Sequence, residues 1–200
     1  MKKSMWSFKL NTASLVLIPA AVGINYIGKL FAGALKLPLW LDSIGTILGA
    51  TLAGPIVGAL CGAINNIIYG FTLDPVSFIY AISSTVIGIV AGILAYKGKM
   101  DTFLKTLLTG LIIAVVSTAV STPINLALYG GQTGNLWGDA LYTVCIAHHF
   151  PVWISSALDE FIVDIPDKIA VTLIAFGIFK ALPKKLTLLY RNDQEIEHLD

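Results

Sequence analysis

Glu160, Asp164 and Lys168 fall four residues apart, so on a helix they share one ridge, with Asp167 beside it. Two carboxylates and an ammonium group in that pattern can pair with one another at i and i+4. In an apolar setting they can also hold a polar solute, because an intramembrane charge is expensive and marks a candidate site. Asn125, two residues after Pro123, and Tyr129, one turn later, form a polar and aromatic edge, and Asn66 adds a second amide in an apolar stretch. Trp40, Tyr80 and Trp137 offer rings on which a flat heterocycle would stack, although such residues also populate the belts at membrane boundaries.

His148 and His149 are the most reactive-looking pair, with Asp159 and Glu160 following about one helical segment later. Adjacent residues on a helix point to different faces, so these histidines do not form the i, i+4 metal pair of a zinc protease. His149 is a candidate for a ligand hydrogen bond, and the four residues together leave a metal-dependent reaction at the surface as an alternative. Cys61 and Cys145 lack CxxC spacing and read as packing residues. Neither a Gly-x-Ser-x-Gly nucleophile motif nor a Gly-x-x-x-x-Gly-Lys-Ser/Thr phosphate loop occurs. Binding without covalent chemistry is therefore expected, with no catalytic residue, cofactor or metal.

Positioning these groups falls to an unusually apolar chain. Of its 200 residues 56% are hydrophobic and only 12% charged, and the mean hydropathy is +0.81. A soluble domain of this size cannot hide that much apolar surface, which excludes a soluble enzyme or DNA-binding domain and points to a polytopic protein in a lipid bilayer. The net charge of +1 gives no reason to expect a nucleic-acid partner. Apolar stretches lie at about 10–28, 39–53, 55–69, 76–96, 103–128 and 157–182. The first, preceded by Lys2, Lys3 and Lys9, has the outline of a secretory signal but no clear small-x-small cleavage site, and reads as a retained first span. The second and third are short, and Gly54-Pro55 between them suits either a break or a kink.

Charge decides between the two. With separate helices and a cytoplasmic amino terminus, the cytoplasmic side carries Lys2, Lys3, Lys9, Lys97, Lys99, Lys105, Lys180, Lys184, Lys185 and Arg191, against Lys29, Lys36 and Lys168 outside. That ten-to-three split satisfies the positive-inside rule, whereas a single kinked span reverses it to four against nine. The expected fold is all-α: an integral-membrane six-helix bundle forming one transmembrane domain over residues 1–200. Both termini are cytoplasmic, a long external loop separates helices 5 and 6, and the protein is multi-pass in the cell membrane. The same topology places Asp42, Asp74, Asp139, Asp159, Glu160, Asp164 and Asp167 at or near the external face. Within the long loop, residues 136–147 are apolar enough to lie as a short surface helix.

Small residues recur at helical spacing through Gly45, Gly49, Ala53, Gly58 and Gly62, and again in Gly88-Ile-Val-Ala-Gly92. Such ridges let helices approach closely, within the chain or against a membrane partner. Asp42-Ser-Ile-Gly-Thr followed by Ala50, Gly54-Pro55, Gly58, Gly62 and Asn66 resembles the second and third helices of the S components of energy-coupling-factor transporters. Asn66 stands where an Asp is common in that group. The Ala-xxx-Ala docking pattern of the first helix is replaced by Ala13 and Ala21 on one face and by Gly28-xxx-Ala32.

The resemblance implies a substrate-binding subunit that captures a small water-soluble vitamin or related micronutrient from outside. Its pocket would be built by the outer halves of the later helices and closed by the loop 28–41. It further implies a transmembrane coupling subunit and two ATPase subunits as partners, with Ala13, Ala21, Gly28, Ala32, Gly58 and Gly62 as candidate docking residues. Trp40, Asn66, Tyr80, Asn125, Tyr129, Trp137, His149, Glu160, Asp164 and Lys168 are the candidate substrate contacts. A metal-dependent membrane enzyme and a membrane ligand sensor are the alternatives.

Overall fold

The computed structural model describes residues 12–191. Lys2, Lys3, Lys9 and the first two residues of the expected first helix lie outside them. The described residues form eight helices: α1 (Thr12–Ala34), α2 (Ile44–Ala53), α3 (Pro55–Thr72), α4 (Ser77–Tyr96), α5 (Phe103–Tyr129), α6 (Leu136–Ala147), α7 (Val152–Ala181) and α8 (Lys184–Arg191). Four of them, α1, α3, α4 and α5, are long and apolar enough to cross a membrane. Their outward faces remain apolar: Leu15, Val16, Ile27, Ile82, Leu104, Leu108, Ile112 and Val115 are all exposed. Helices with apolar residues on both inner and outer faces are consistent with a multi-pass membrane protein.

The interior is assembled from Ala21 and Val22 of α1, Ile47 and Leu48 of α2, Val57 and Cys61 of α3, Ile87 and Ala91 of α4, Ile113 of α5, and Val171 and Ala175 of α7. Cys61 and Cys145 are buried free thiols. The break between α2 and α3 is real and belongs to Gly54, whose φ of 94° is a conformation that side chains disfavour. Its amide closes α2 on Ala50 O, and Pro55, which has no amide hydrogen to satisfy, opens α3.

Asn25 of α1 closes the other end of α2. Its Oδ1 accepts from the Gly45 amide at 2.7 Å and the Thr46 amide at 3.3 Å, while its Nδ2 donates to Thr46 Oγ1 at 2.9 Å. The first amides of a helix have no partner within it. Here a side chain from a neighbouring helix supplies one, because the local cap residue Ser43 makes no capping hydrogen bond.

The small-residue ridges serve this packing. A Cβ on Gly88 would fall on the Gly58 carbonyl, one on Gly62 on the Ser84 backbone, and one on Gly45 on the Ala21 backbone. Ala21, Ala32, Gly58 and Gly62 are buried, Gly28 lies against Leu41, and Ala13 is half-buried. Of the candidate docking residues, the buried ones are thus covered by other parts of the same chain.

Three boundaries differ from expectation by five residues or more, among them the start of α2 at Ile44 where 39 was expected. α1 runs on to Ala34 and ends where Lys36, at φ 51°, turns left-handed and the Leu37 amide reaches back to Ala32 O. The loop after α1 is therefore residues 35–43, and residues 28–34 are helical. α7 starts at Val152, five residues before the expected 157. Pro151 O accepts from the Ile154 and Ser155 amides, and Ser155 and Ser156, which weaken the apolar signal in the sequence, are fully buried. The surface helix expected over residues 136–147 is α6, and it packs on α7 with Gly138 against Asp159.

Candidate functional site

A cavity of about 160 Å³ lies among α3, α4, α5 and α7. A water needs roughly 10–15 Å³ on this scale, so the space suits a small organic molecule. Trp40 and Asp42 from the α1–α2 connection, Asp74 from the α3–α4 connection and Thr133 from the α5–α6 connection all contribute to its wall. The cavity therefore lies toward the end of the molecule where these three connections gather.

The α7 ridge forms one wall. Thirty residues of helix carry Glu160, Asp164 and Lys168 one turn apart, and their exposures are only 6%, 1% and 3%. Lys168 Nζ donates to Asp167 Oδ2 at 2.6 Å and stands 3.5 Å from Asp164 Oδ1. Thr118 of α5 donates to Asp164 Oδ2 at 3.2 Å. Above it, a chain of side chains crosses three helices: Tyr80 OH of α4 donates to Asn125 Oδ1 of α5, whose Nδ2 donates to Glu160 Oε2 at 3.0 Å. The amide has one donor and one acceptor engaged in opposite directions, which fixes both its flip and the carboxylate it addresses. On the opposite wall Asn66 Nδ2 donates to Ser84 Oγ at 2.5 Å and to Gly62 O at 3.2 Å. Ser83 and Ser121 meet at 3.0 Å.

The loop 35–43 is tied to this wall. Asp167 Oδ1 accepts from the amides of Trp40 at 3.0 Å and Leu41 at 2.8 Å, and Leu41 adopts a φ of 50°. Asp167 thus holds Lys168 with one oxygen and the loop with the other. At Asp42, burial raises the pKa, but the Lys168 and Lys29 ammonium groups and the Ser43 hydroxyl more than offset it, holding the carboxyl below its ordinary range. Asp167→Ala should release the loop, so that hydrogen exchange at residues 40–41 rises more than about tenfold, since each amide bond to a charged acceptor contributes roughly 1.5–3 kcal/mol. Asp167→Asn, which keeps an acceptor, should preserve protection; equal protection in wild type and the alanine variant would remove the tether.

Of the ten expected contacts, Trp40, Asn66, Tyr80, Asn125, Tyr129, Glu160, Asp164 and Lys168 line the cavity; Trp137 and His149 do not. Trp137 is 61% exposed on α6, where its amide is capped by Asn135 Oδ1. Gly138 of that helix faces α7, and Trp137, about 100° around the axis, is turned away. Trp137→Ala should accordingly leave ligand retention by the purified protein unchanged, as read by native mass spectrometry; loss of a copurified molecule would place the ring back at the site. His149, at φ 62°, lies exposed in the turn after α6, as does His148, whereas Asp159 and Glu160 are buried. Those four residues do not form a set, and no three His, Cys, Asp or Glu among the described residues come together to hold a metal.

Lys29, Asp42, Asp74, Thr133 and the serines of α4 and α5 are cavity residues that were not among the ten expected contacts. Thr133 is positioned by Asp159, to whose Oδ1 it donates at 2.8 Å, and by Asp139 Oδ1, which accepts from its amide at 3.1 Å. Compared with protein-family models, curated proteins and solved structures, the chain matches none.

Proposed function

We propose that this chain is the substrate-binding membrane subunit of an energy-coupling-factor type importer, capturing a small water-soluble micronutrient at the external face without altering it. The observation that carries the reading is the cavity itself. It is polar and charged, it is surrounded by helices whose outer faces are apolar, and it lies toward the end where three interhelical connections gather. A membrane protein retains buried ionisable groups of this kind where a polar solute is handled.

In this reading α1 to α5 and α7 are the six membrane helices, α6 and α8 lie at the two surfaces, and both termini face the cytoplasm of a cell whose cytoplasmic membrane holds the protein. The ten-to-three distribution of Lys and Arg supports that orientation. The resemblance of the Asp42 to Asn66 segment to S components supports the transporter class. It brings with it a coupling subunit and two ATPase subunits as partners, since the chain carries no phosphate-binding loop. The loop 35–43, held by Asp167, is the part that would open and close over the solute.

Native mass spectrometry of the detergent-released protein from its producing cells tests the reading. A stoichiometric organic adduct of vitamin size is expected, together with ATPase subunits on copurification under mild conditions. A chain that is empty and also fails to copurify with any ATPase overturns it.

A further inference from the structure

We propose that the cavity selects an organic cation, whose protonated amine or amidine-like nitrogen rests against Glu160 and Asp164. The inference rests on the capture reading and adds the charge class of what is captured.

Charge balance is the first argument. Away from the exposed Asp74 at its rim, the cavity wall presents three carboxylates, Asp42, Glu160 and Asp164, against two ammonium groups, Lys29 and Lys168. Lys168 is matched from behind by Asp167 at 2.6 Å, and Lys29 stands 4.3 Å over the ring of Tyr69. The acid side therefore outnumbers the base side even before Asp167 is counted. A buried carboxylate lacking a full counter-charge is strongly disfavoured, and an entering cation supplies the missing charge where an anion would add repulsion.

The second argument is an unused acceptor. Asp164 is 1% exposed, and its Oδ1 accepts no hydrogen bond, although Lys168 Nζ stands 3.5 Å away. Glu160, one turn nearer the amino end of α7, is held by the Asn125 amide rather than by an ammonium group. Two acid groups one turn apart on the same wall match a group that donates more than one N–H. Trp40, Tyr80 and Tyr129 line the same cavity, and the negative faces of such rings favour a cation over an anion.

The test compares benzamidinium, benzamide and benzoate, which share a ring and nearly a shape but differ in charge. Each is added at millimolar concentration to the full-length chain in detergent, and thermal unfolding is followed. Benzamidinium is expected to raise the melting temperature and the other two are not. Its half-maximal concentration should rise at least tenfold in Glu160→Gln and in Asp164→Asn. Stabilisation by benzoate or benzamide equal to that by benzamidinium overturns the cation assignment and leaves capture standing. An unchanged benzamidinium response in both variants overturns the placement at Glu160 and Asp164. If none of the three stabilises, native mass spectrometry decides: a copurified cation supports the charge class, a neutral or anionic molecule or an empty protein overturns it, and an empty protein that also copurifies no ATPase overturns capture with it. The wild-type comparison needs no variant to fold.

Discussion

Gly88→Leu is expected to abolish the folded protein. Helices α3 and α4 approach so closely at this point that a Cβ on residue 88 would lie on the Gly58 carbonyl and 2.6 Å from the Ala59 amide nitrogen. The obstructing atoms are backbone, so no rotamer change on α3 makes room. Overpacking a well-packed interior ordinarily costs roughly 1–3 kcal/mol, and contact against backbone removes the relaxation that keeps the cost in that range. In lipid the loss is felt directly, because close van der Waals approach is a main source of helix association there. The solubilised variant should leave the monodisperse peak in size-exclusion chromatography. Gly88→Ala, which adds one methyl group at the same contact, should survive with a clearly lowered melting temperature. Wild-type stability in both variants would mean that the two helices do not meet at this point.

Lys168→Met should be the most damaging change within the cavity wall. Lys168 is 3% exposed, bonded to Asp167 and adjacent to Asp164, so its removal strands carboxylates in the interior. Breaking one side of a buried ion pair costs roughly 3–5 kcal/mol, whereas replacing both sides together is often close to neutral. The double variant Lys168→Met/Asp167→Asn should therefore recover much of the stability lost in the single one. The introduced amide still presents an oxygen to the Trp40 and Leu41 backbone N–H groups. Thermal unfolding of the wild type, both single variants and the double variant in one detergent reads the cycle. A Lys168→Met protein as stable as the wild type would show that the pair does not hold α7 in place.

Much of this arrangement is legible in the residue order, and the part that is not has physical reasons. The Glu160, Asp164, Lys168 ridge announces itself because charges are costly in an apolar stretch and helical spacing puts these three on one face. Asn66 and Asn125 stand out in the same way. Ser83, Ser84, Ser117 and Ser121 do not: a serine in a membrane helix commonly bonds its own backbone, and its presence does not reveal which face turns inward. Asp167 reads as a bystander of the ridge because its partners, the Trp40 and Leu41 amides, lie more than a hundred residues away and belong to backbone rather than side chains.

Trp137 is the opposite case, a ring that does not line the cavity. Its place in a long loop suggests a ring near the ligand, but the rotation of α6 is set by Gly138, the residue small enough to sit on Asp159. The boundary of α1 is misread for a related reason. Gly28 looks like a helix end, yet the left-handed residue that stops α1 is Lys36.

The clamp that Asn25 places on α2 bears on how the chain is made. Ten residues of helix span about 15 Å, half the hydrocarbon thickness, so α2 is too short to cross a bilayer by itself. Its leading amides have no stable partner until Asn25 is beside them, and its trailing end turns directly through Gly54 into α3. Because Asn25 precedes α2 in the chain, the partner of those leading amides is already made when α2 emerges, so the α1–α2 pair is the expected first unit of assembly, rather than α2 alone.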